Sequence, residues 1–147
     1  MLIDQAVTVE GLTLLYIGIS PKAPPLNGRS PSRQNLRTRI RYHMQGNAEG
    51  STLRLTLGCL LGLQLRRVGS GRRLTFGVDE QRLSDWLAAN ARVTWEVCYQ
   101  PWLLEPELII SIPLPLNLEG NSHPFCHSLA EIRRSARRVA RNLPICP

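Results

Sequence analysis

Residues 12–20 of the chain read LTLLYIGIS, a short apolar run rich in residues that favour β-strands. Gly11 precedes this run and Pro21 follows it, and both residue types commonly end regular secondary structure. The pattern therefore predicts a buried strand that carries Tyr16 at its centre. Residues 21–34 are rich in proline and serine, and they predict a long loop after the strand.

The rest of the chain alternates between helical and strand-like patterns. Leu53, Leu55 and Leu57 suit a strand as well as a helix, so that segment stays open. A chain of 147 residues is long enough for one compact domain. We therefore expect a single α/β (α+β) domain over residues 1–147, with a small, mainly antiparallel β-sheet flanked by helices. Five helices are predicted: residues 35–45 (capped by Ser32 or Asn35), 52–61 (capped by Ser51), 79–90 (capped by Asp79), 102–112 (with Pro106 in its first turn), and a last helix that starts at the capping box of Ser128 and Glu131. The predicted strands are a hairpin of residues 63–68 and 73–77 and a half-buried strand over residues 92–99.

Charge is distributed unevenly along the chain. The net charge is +7, and arginine supplies 17 of the 18 basic side chains, with Lys22 as the only lysine. Residues 1–77 and 133–147 are basic, whereas residues 78–132 carry eight acidic side chains and two basic ones. A basic surface beside carboxylates suits a polyanionic partner and a bound cation, and ordinary solvated charge is the alternative.

The sequence also indicates in which cellular compartment the protein lies. No apolar run approaches the roughly 18 residues of a membrane-spanning helix, and residues 1–10 lack the basic residues of a secretory signal. We therefore expect a cytoplasmic protein with no membrane partner.

The four cysteines form no C-x-x-C pair, which indicates reduced thiols. His123, Cys126 and His127 are too crowded, and lack a clear fourth ligand, for a structural zinc site.

Tyr16-Ile17-Gly18 is followed along the chain by four polar residues whose types and spacing form a motif. Arg39 and His43 lie one helical turn apart in Asn35-Leu36-x-x-Arg39-x-x-x-His43, and Asn117 follows Glu105 by twelve residues. This ordered set resembles the GIY-YIG family of nucleases, and the resemblance covers about residues 12–141. It implies a divalent-metal-dependent endonuclease that hydrolyses DNA with Mg²⁺ or Mn²⁺, with RNA open as an alternative substrate.

The resemblance also implies a role for each of the five residues. Tyr16 would activate or orient the attacking water, and His43 would be a helper or an alternative base. Arg39 would stabilise the charge of the transition state at phosphorus. Glu105 would be the sole metal ligand, and Asn117 would fix local geometry through its amide. Taken singly, each has a structural alternative: a core tyrosine, a solvated arginine, an interfacial histidine, a glutamate that complements a helix dipole, and a turn asparagine.

A second carboxylate competes with Glu105 for the metal-ligand assignment. Glu107 is its neighbour on the predicted helix, and Asn117 follows it by ten residues instead of twelve. The twelve-residue step matches the family pattern, so the resemblance selects Glu105.

Two groups of arginines are candidates for nucleic-acid binding. Arg37 and Arg41 flank Arg39 on its predicted helix. The last helix carries a stripe at i, i+3, i+4 and i+7, formed by Arg134, Arg137, Arg138 and Arg141. Such a stripe can equally be a solvated helix face.

The chain departs from the family pattern at its first strand. The family's G-I-Y strand has no counterpart in residues 1–10, which contain no tyrosine. Either the start lies upstream or this copy has lost half of its hairpin, in which case residues 12–20 would pair with residues 5–9. The departure leaves two further functions open: a catalytically decayed domain that binds nucleic acid, and a protein-interaction module.

Overall fold

A computed structural model of the protein describes residues 5–27 and 32–146. Within them, five helices and two small antiparallel sheets confirm the mixed α+β fold class. The elements are β1 (Thr8–Val9), β2 (Leu12–Thr13), α1 (Leu36–Gln45), α2 (Thr52–Leu60), β3 (Arg66–Val68), β4 (Arg73–Thr75), α3 (Asp79–Asn90), α4 (Pro101–Ser111) and α5 (Phe125–Asn142). No helix in the described residues is long and apolar enough to cross a bilayer.

The described residues divide into two compact units, each built from two separate stretches of sequence. One unit contains the chain up to Arg39 together with Thr94–His127, and the other contains Ile40–Val93 together with the chain from Ser128 onward. The core of the first unit includes Ile109, Leu114 and Leu116, and the core of the second includes Leu55, Leu57, Phe76, Leu83 and Leu87. That the whole chain acts as one functional domain stays a prediction.

The first hairpin is much shorter than the predicted strand. β1 and β2 pair Thr8 with Thr13 around a turn at Glu10 and Gly11, which both have positive φ, the backbone conformation of the tightest two-residue hairpin turns. The predicted pairing with residues 5–9 is therefore confirmed for the end of that segment, Val7 to Val9. The extent and burial of the strand are wrong, because Leu12 is 57% exposed and residues 14–19 are irregular.

In the second unit, a buried ion pair joins α2 to α3. The wholly buried side chain of Arg54 donates hydrogen bonds to a carboxylate oxygen of Glu80 at 2.8 Å and 3.1 Å, and to the backbone oxygen of Met44 at 3.0 Å. The other carboxylate oxygen of Glu80 accepts from the backbone N–H groups of Ala48 and Phe76. A buried charge needs such complete pairing. This network explains why the face of α2 that carries Arg54 is buried.

Helix boundaries follow the predicted signals where a side chain caps the helix end. Asn35 caps α1, since its Oδ1 accepts from the Thr38 N–H at 2.9 Å, and Ser51 caps α2, since its Oγ accepts from the Arg54 N–H at 3.1 Å. These caps confirm both helices and exclude the strand alternative for α2. The hairpin of β3 and β4 is confirmed as well, with Arg67 opposite Leu74.

Three predictions of local structure are wrong. Val78, not Asp79, precedes the first helical residue of α3, and no side chain caps it. Because α4 begins at Pro101, Pro106 lies in the helix interior and not in the first turn. Residues 92–99 are exposed and irregular, because an alternating pattern becomes a strand only where another strand pairs with it.

The last helix begins three residues before the predicted capping box. The Nδ1 atom of His123 accepts a hydrogen bond from the Phe125 N–H at 3.1 Å, which satisfies a donor at the start of α5. Ser128 therefore lies inside the helix, and Glu131 pairs with Arg134 instead of capping. The buried His123 thus has a structural function that the sequence did not indicate.

Candidate active site

A cavity of about 340 Å³ lies in the first unit. Three segments form it: the irregular stretch after β2, the first turn of α1 and the first half of α4. Its lining residues are Tyr16, Ile19, Lys22, Ala23, Arg39, Trp102 and Glu105. Three of the five predicted site residues therefore share one cavity.

Asn117 holds the backbone beside Tyr16. Its Oδ1 accepts from the Ile17 N–H at 3.0 Å, and its Nδ2 donates to the Ile17 carbonyl at 2.8 Å. The Leu116 N–H adds a bond to the Leu15 carbonyl at 2.9 Å. Together these bonds, which we call the Asn117 bridge, tie residues 15–17 to the loop that carries Asn117 and hold the backbone beside Tyr16.

The loop that carries Asn117 is itself well held. Leu114 and Leu116 are buried, and Asn117 is only 7% exposed. The Nδ2 atom of Asn121 donates to the Asn117 carbonyl at 2.8 Å and also hydrogen-bonds the Leu114 carbonyl. The Cys126 thiol donates to the same Asn117 carbonyl at 3.3 Å. A buried loop requires this degree of hydrogen bonding.

Burial and the neighbouring positive charges have opposite effects on the pKa of Glu105. Burial raises the pKa of this carboxyl above its ordinary value. The positive charges of Arg39 and Lys22 lower the pKa, and the negative charge of Glu119 raises it, but burial has the largest effect. Glu105 is therefore a carboxylate whose ionised form gains from additional positive charge.

His43 belongs to the second unit. Its Nδ1 lies 2.6 Å from the Oγ of Ser51, the residue that caps α2. The structure brings Tyr16, Arg39 and Glu105 to one cavity, and His43 is not among the residues that line it.

Four lining residues of the cavity were not predicted from the sequence, and two of them, Lys22 and Trp102, carry side chains suited to contacting a nucleic acid. Lys22 is the only lysine of the chain, which was a usable signal. Trp102 precedes Glu105 by three residues on α4, and this spacing puts both side chains on one helix face. Neither feature alone predicts a site residue, because Lys22 lies in a long loop and Trp102 at a helix start, and only folding brings the two to one cavity.

Comparison with known families decides how this cavity is interpreted. The family model described as the GIY-YIG catalytic domain matches residues 2–138, which include all five candidate residues. The chain belongs to the GIY-YIG family. No curated protein and no solved structure gives a significant match.

GIY-YIG domains are generally endonucleases that act on nucleic acids, and they typically use divalent metals. Within the described residues, no group of three or more His, Cys, Asp or Glu side chains could hold a metal ion. A zinc site would need such a group, whereas Mg²⁺ accepts one or two carboxylates and fills its other positions with water and phosphate oxygens. The donor set around Glu105 therefore fits Mg²⁺ or Mn²⁺.

The arginines expected to bind nucleic acid differ in exposure. Arg37 and Arg41 are exposed on α1. On α5, Arg134, Arg138 and Arg141 are exposed, but Arg137 is half-buried. Burial raises the pKa of the Cys59 thiol, and the charges of Arg133 and Arg137 lower it, so Arg137 lies near Cys59. Three of the four stripe residues thus present their charge to solvent.

The Asn117 bridge predicts a loss of stability on truncation. Asn117→Ala leaves the Ile17 N–H and carbonyl without their side-chain partners, so we expect the free energy of unfolding to fall by about 1–3 kcal/mol. Asn90→Ala, on an exposed position of α3, is the matched control and should change it by less than about 0.5 kcal/mol. Urea unfolding followed by circular dichroism measures both. Equal unfolding midpoints for the two variants would contradict the bridge.

The raised pKa of Glu105 predicts a pH-dependent effect of Glu105→Gln in metal-free protein. A raised folded-state pKa means that the stability from Glu105 is complete below its unfolded pKa of about 4.3 and is lost as pH rises through the folded-state pKa. Glutamine cannot ionise, so Glu105→Gln should gain stability relative to the unsubstituted chain between pH 4 and pH 7. Urea unfolding in EDTA at both pH values tests this. Glu107→Gln, exposed on the same helix, should show no such gain, and a gain of equal size there would reject the interpretation.

Proposed function

We propose that the chain is a divalent-metal-dependent endonuclease that hydrolyses DNA phosphodiester bonds. One observation carries the proposal: two cationic side chains, a tyrosine and a carboxylate line the same cavity in a member of the GIY-YIG family. Phosphodiester hydrolysis needs groups that bind a negatively charged phosphate, hold a cation and direct a water molecule. The cavity contains a candidate for each.

Arg39 and Lys22 form the phosphate-binding part of the cavity. A guanidinium can grip two phosphate oxygens with parallel hydrogen bonds, and an ammonium acts as a compact point charge. Charge accumulates on the phosphoryl oxygens as the water attacks, so fixed positive groups stabilise the transition state more than the ground state. This difference is what would accelerate the reaction.

Glu105 would hold the metal ion through its carboxylate. A bound Mg²⁺ or Mn²⁺ supplies Lewis-acid polarisation of a phosphoryl oxygen and stabilises the leaving oxygen. The chain's contribution is the position of Glu105 on α4 and its partial removal from water. Since the charges of Arg39 and Lys22 already act on this carboxylate, cation and phosphate would meet close together.

Tyr16 would orient or activate the attacking water through its hydroxyl group. A tyrosine can accept a hydrogen bond from water and pass its own proton to a neighbouring group, provided that its position is fixed. The hydrogen bonds between Asn117 and Ile17 supply that fixed position. His43 would assist as a helper or alternative base, and its Nδ1 lies within hydrogen-bonding distance of the Ser51 hydroxyl.

A second function is favoured by the first hairpin. Thr8 and Val9 pair with β2 where the family pattern has its G-I-Y strand, so one aromatic residue of that pattern has no counterpart. A catalytically decayed domain of this kind would bind nucleic acid through its arginines without cleaving it. Salt-sensitive binding without metal-dependent cleavage distinguishes this function from the endonuclease.

The proposed metal ligand predicts a loss of cleavage on substitution. Glu105→Gln keeps the size of the side chain but removes the anionic ligand, so cleavage of plasmid DNA with Mg²⁺ or Mn²⁺ should fall at least about 100-fold. Glu107→Gln is the matched control on the same helix and should cleave as fast as the unsubstituted chain. Cleavage rates that are equal for the two variants would reject Glu105 as the ligand. Cleavage by neither variant nor the unsubstituted chain would favour the decayed domain.

The exposed arginines of α5 predict a change in the salt dependence of DNA binding. Each arginine that neutralises a phosphate contributes about 0.9 to the slope of log K against log salt concentration. Replacing Arg134, Arg138 and Arg141 together by glutamine should therefore reduce the slope by up to about 3. Fluorescence anisotropy with duplex DNA in EDTA measures the slope.

A triple variant elsewhere on the surface is the control for this measurement. Arg72, Arg82 and Arg92 are exposed and lie outside α5, and their replacement by glutamine removes the same net charge. Their replacement should leave the slope within about 1 of the original value. A similar reduction in both triple variants would mean that α5 makes no specific contact with DNA.

A further inference from the structure

The cavity has an apolar wall that phosphate chemistry does not use. Arg39, Lys22, Tyr16 and Glu105 account for the polar groups, whereas Ile19, Ala23 and Trp102 complete the lining. Phosphate oxygens and a hydrated cation gain nothing from an indole ring or an aliphatic side chain. The apolar wall therefore indicates that another part of the substrate enters the cavity.

The size of the cavity agrees with this. A volume of about 340 Å³ lies at the lower end of the range for small-molecule sites, roughly 300–1,000 Å³. It is close to the liquid volume of about eleven water molecules, since each occupies about 30 Å³. A phosphate group alone is far smaller, so there is room for a neighbouring sugar and base.

Trp102 is placed to contact that base. It is half-buried in the first turn of α4, and Glu105 follows one turn later on the same face. The other two tryptophans do not line the cavity: Trp86 lies on α3 in the second unit, and Trp95 is 63% exposed in the irregular segment before α4. The indole of Trp102 is thus the one tryptophan face adjacent to the proposed phosphate site.

We propose that Trp102 stacks on the nucleobase beside the scissile phosphate, and that the site accordingly prefers nucleic acid whose base at that position is unstacked. This inference rests on the proposed nuclease function and names its substrate class. A base inside continuous duplex has both faces covered by its neighbours, so an indole can reach it only in a single strand, an overhang or a distorted junction. Stacking on an aromatic side chain tolerates any base, so the preference is for structure and not for sequence.

Binding without metal tests the stacking contact separately from catalysis. The probes are a 12-residue oligothymidylate and a 12-residue abasic oligomer with the same phosphates, both in EDTA at low salt. Trp102→Leu keeps apolar volume but removes the aromatic face, and should weaken binding of the oligothymidylate about fivefold or more. Its binding of the abasic oligomer should change less than about twofold. Trp102→Phe should restore most of the preference for the oligothymidylate, and Trp95→Leu should alter neither affinity.

Three results would overturn the stacking contact. They are equal weakening of both oligomers by Trp102→Leu, no weakening of either, and a Trp95→Leu effect as large as that of Trp102→Leu.

Cleavage then tests the substrate class. With Mg²⁺ or Mn²⁺, kcat/KM for single-stranded DNA should exceed kcat/KM for duplex DNA, and Trp102→Leu should reduce the ratio of the two values. Cleavage with an unchanged ratio overturns the inference but keeps the nuclease. Base-dependent binding with no cleavage of any DNA overturns the nuclease but keeps the stacking contact.

Discussion

Two hydrogen bonds between the Asn117 amide and the backbone of Ile17 hold the segment whose Tyr16 lines the cavity. Tyr16 lies beyond the two-residue ladder of β1 and β2, where the regular sheet has already ended. An asparagine amide offers one donor group and one acceptor, so it can occupy the place of a peptide group in a neighbouring strand. Asn117 can do this because Asn121 and Cys126 hold its own carbonyl. The Asn117 side chain thereby holds the backbone of residue 17, beyond the point where the hydrogen-bonded ladder of β1 and β2 ends.

The electrostatics of the cavity follow from where Glu105 is buried. Burial outweighs the attraction of Arg39 and Lys22, and the pKa of Glu105 is raised. The carboxylate is therefore short of positive charge even though two cationic side chains act on it. A divalent cation bound there, as the proposed function requires, would supply that charge and would leave Arg39 and Lys22 to face a phosphate. Trp102 lines the same cavity, so the proposed chemistry and the proposed stacking contact would share one small volume.

Local signals predicted the elements whose ends are closed by local side chains. Asn35 and Ser51 cap α1 and α2 through hydrogen bonds that span only three residues, and such contacts can be inferred from the chain itself. Prediction failed where distant residues decide. Residues 92–99 have the alternation of a strand, but no other strand in the described part of the chain pairs with them. The buried face of α2 depends on Glu80, which lies 26 residues away from Arg54.

The sequence alone determined the family, since Tyr16, Arg39, Glu105 and Asn117 stand in the order and spacing of its pattern, and chemistry of this kind requires particular residue types. Only the tertiary structure decided which residues share a cavity. It joined Tyr16, Arg39 and Glu105, it added Lys22 and Trp102, and it gave His43 a hydrogen bond to the cap of α2. The physical reason is distance along the chain. The Asn117 bridge spans 100 residues, and no local propensity can specify a contact whose two halves meet only after folding.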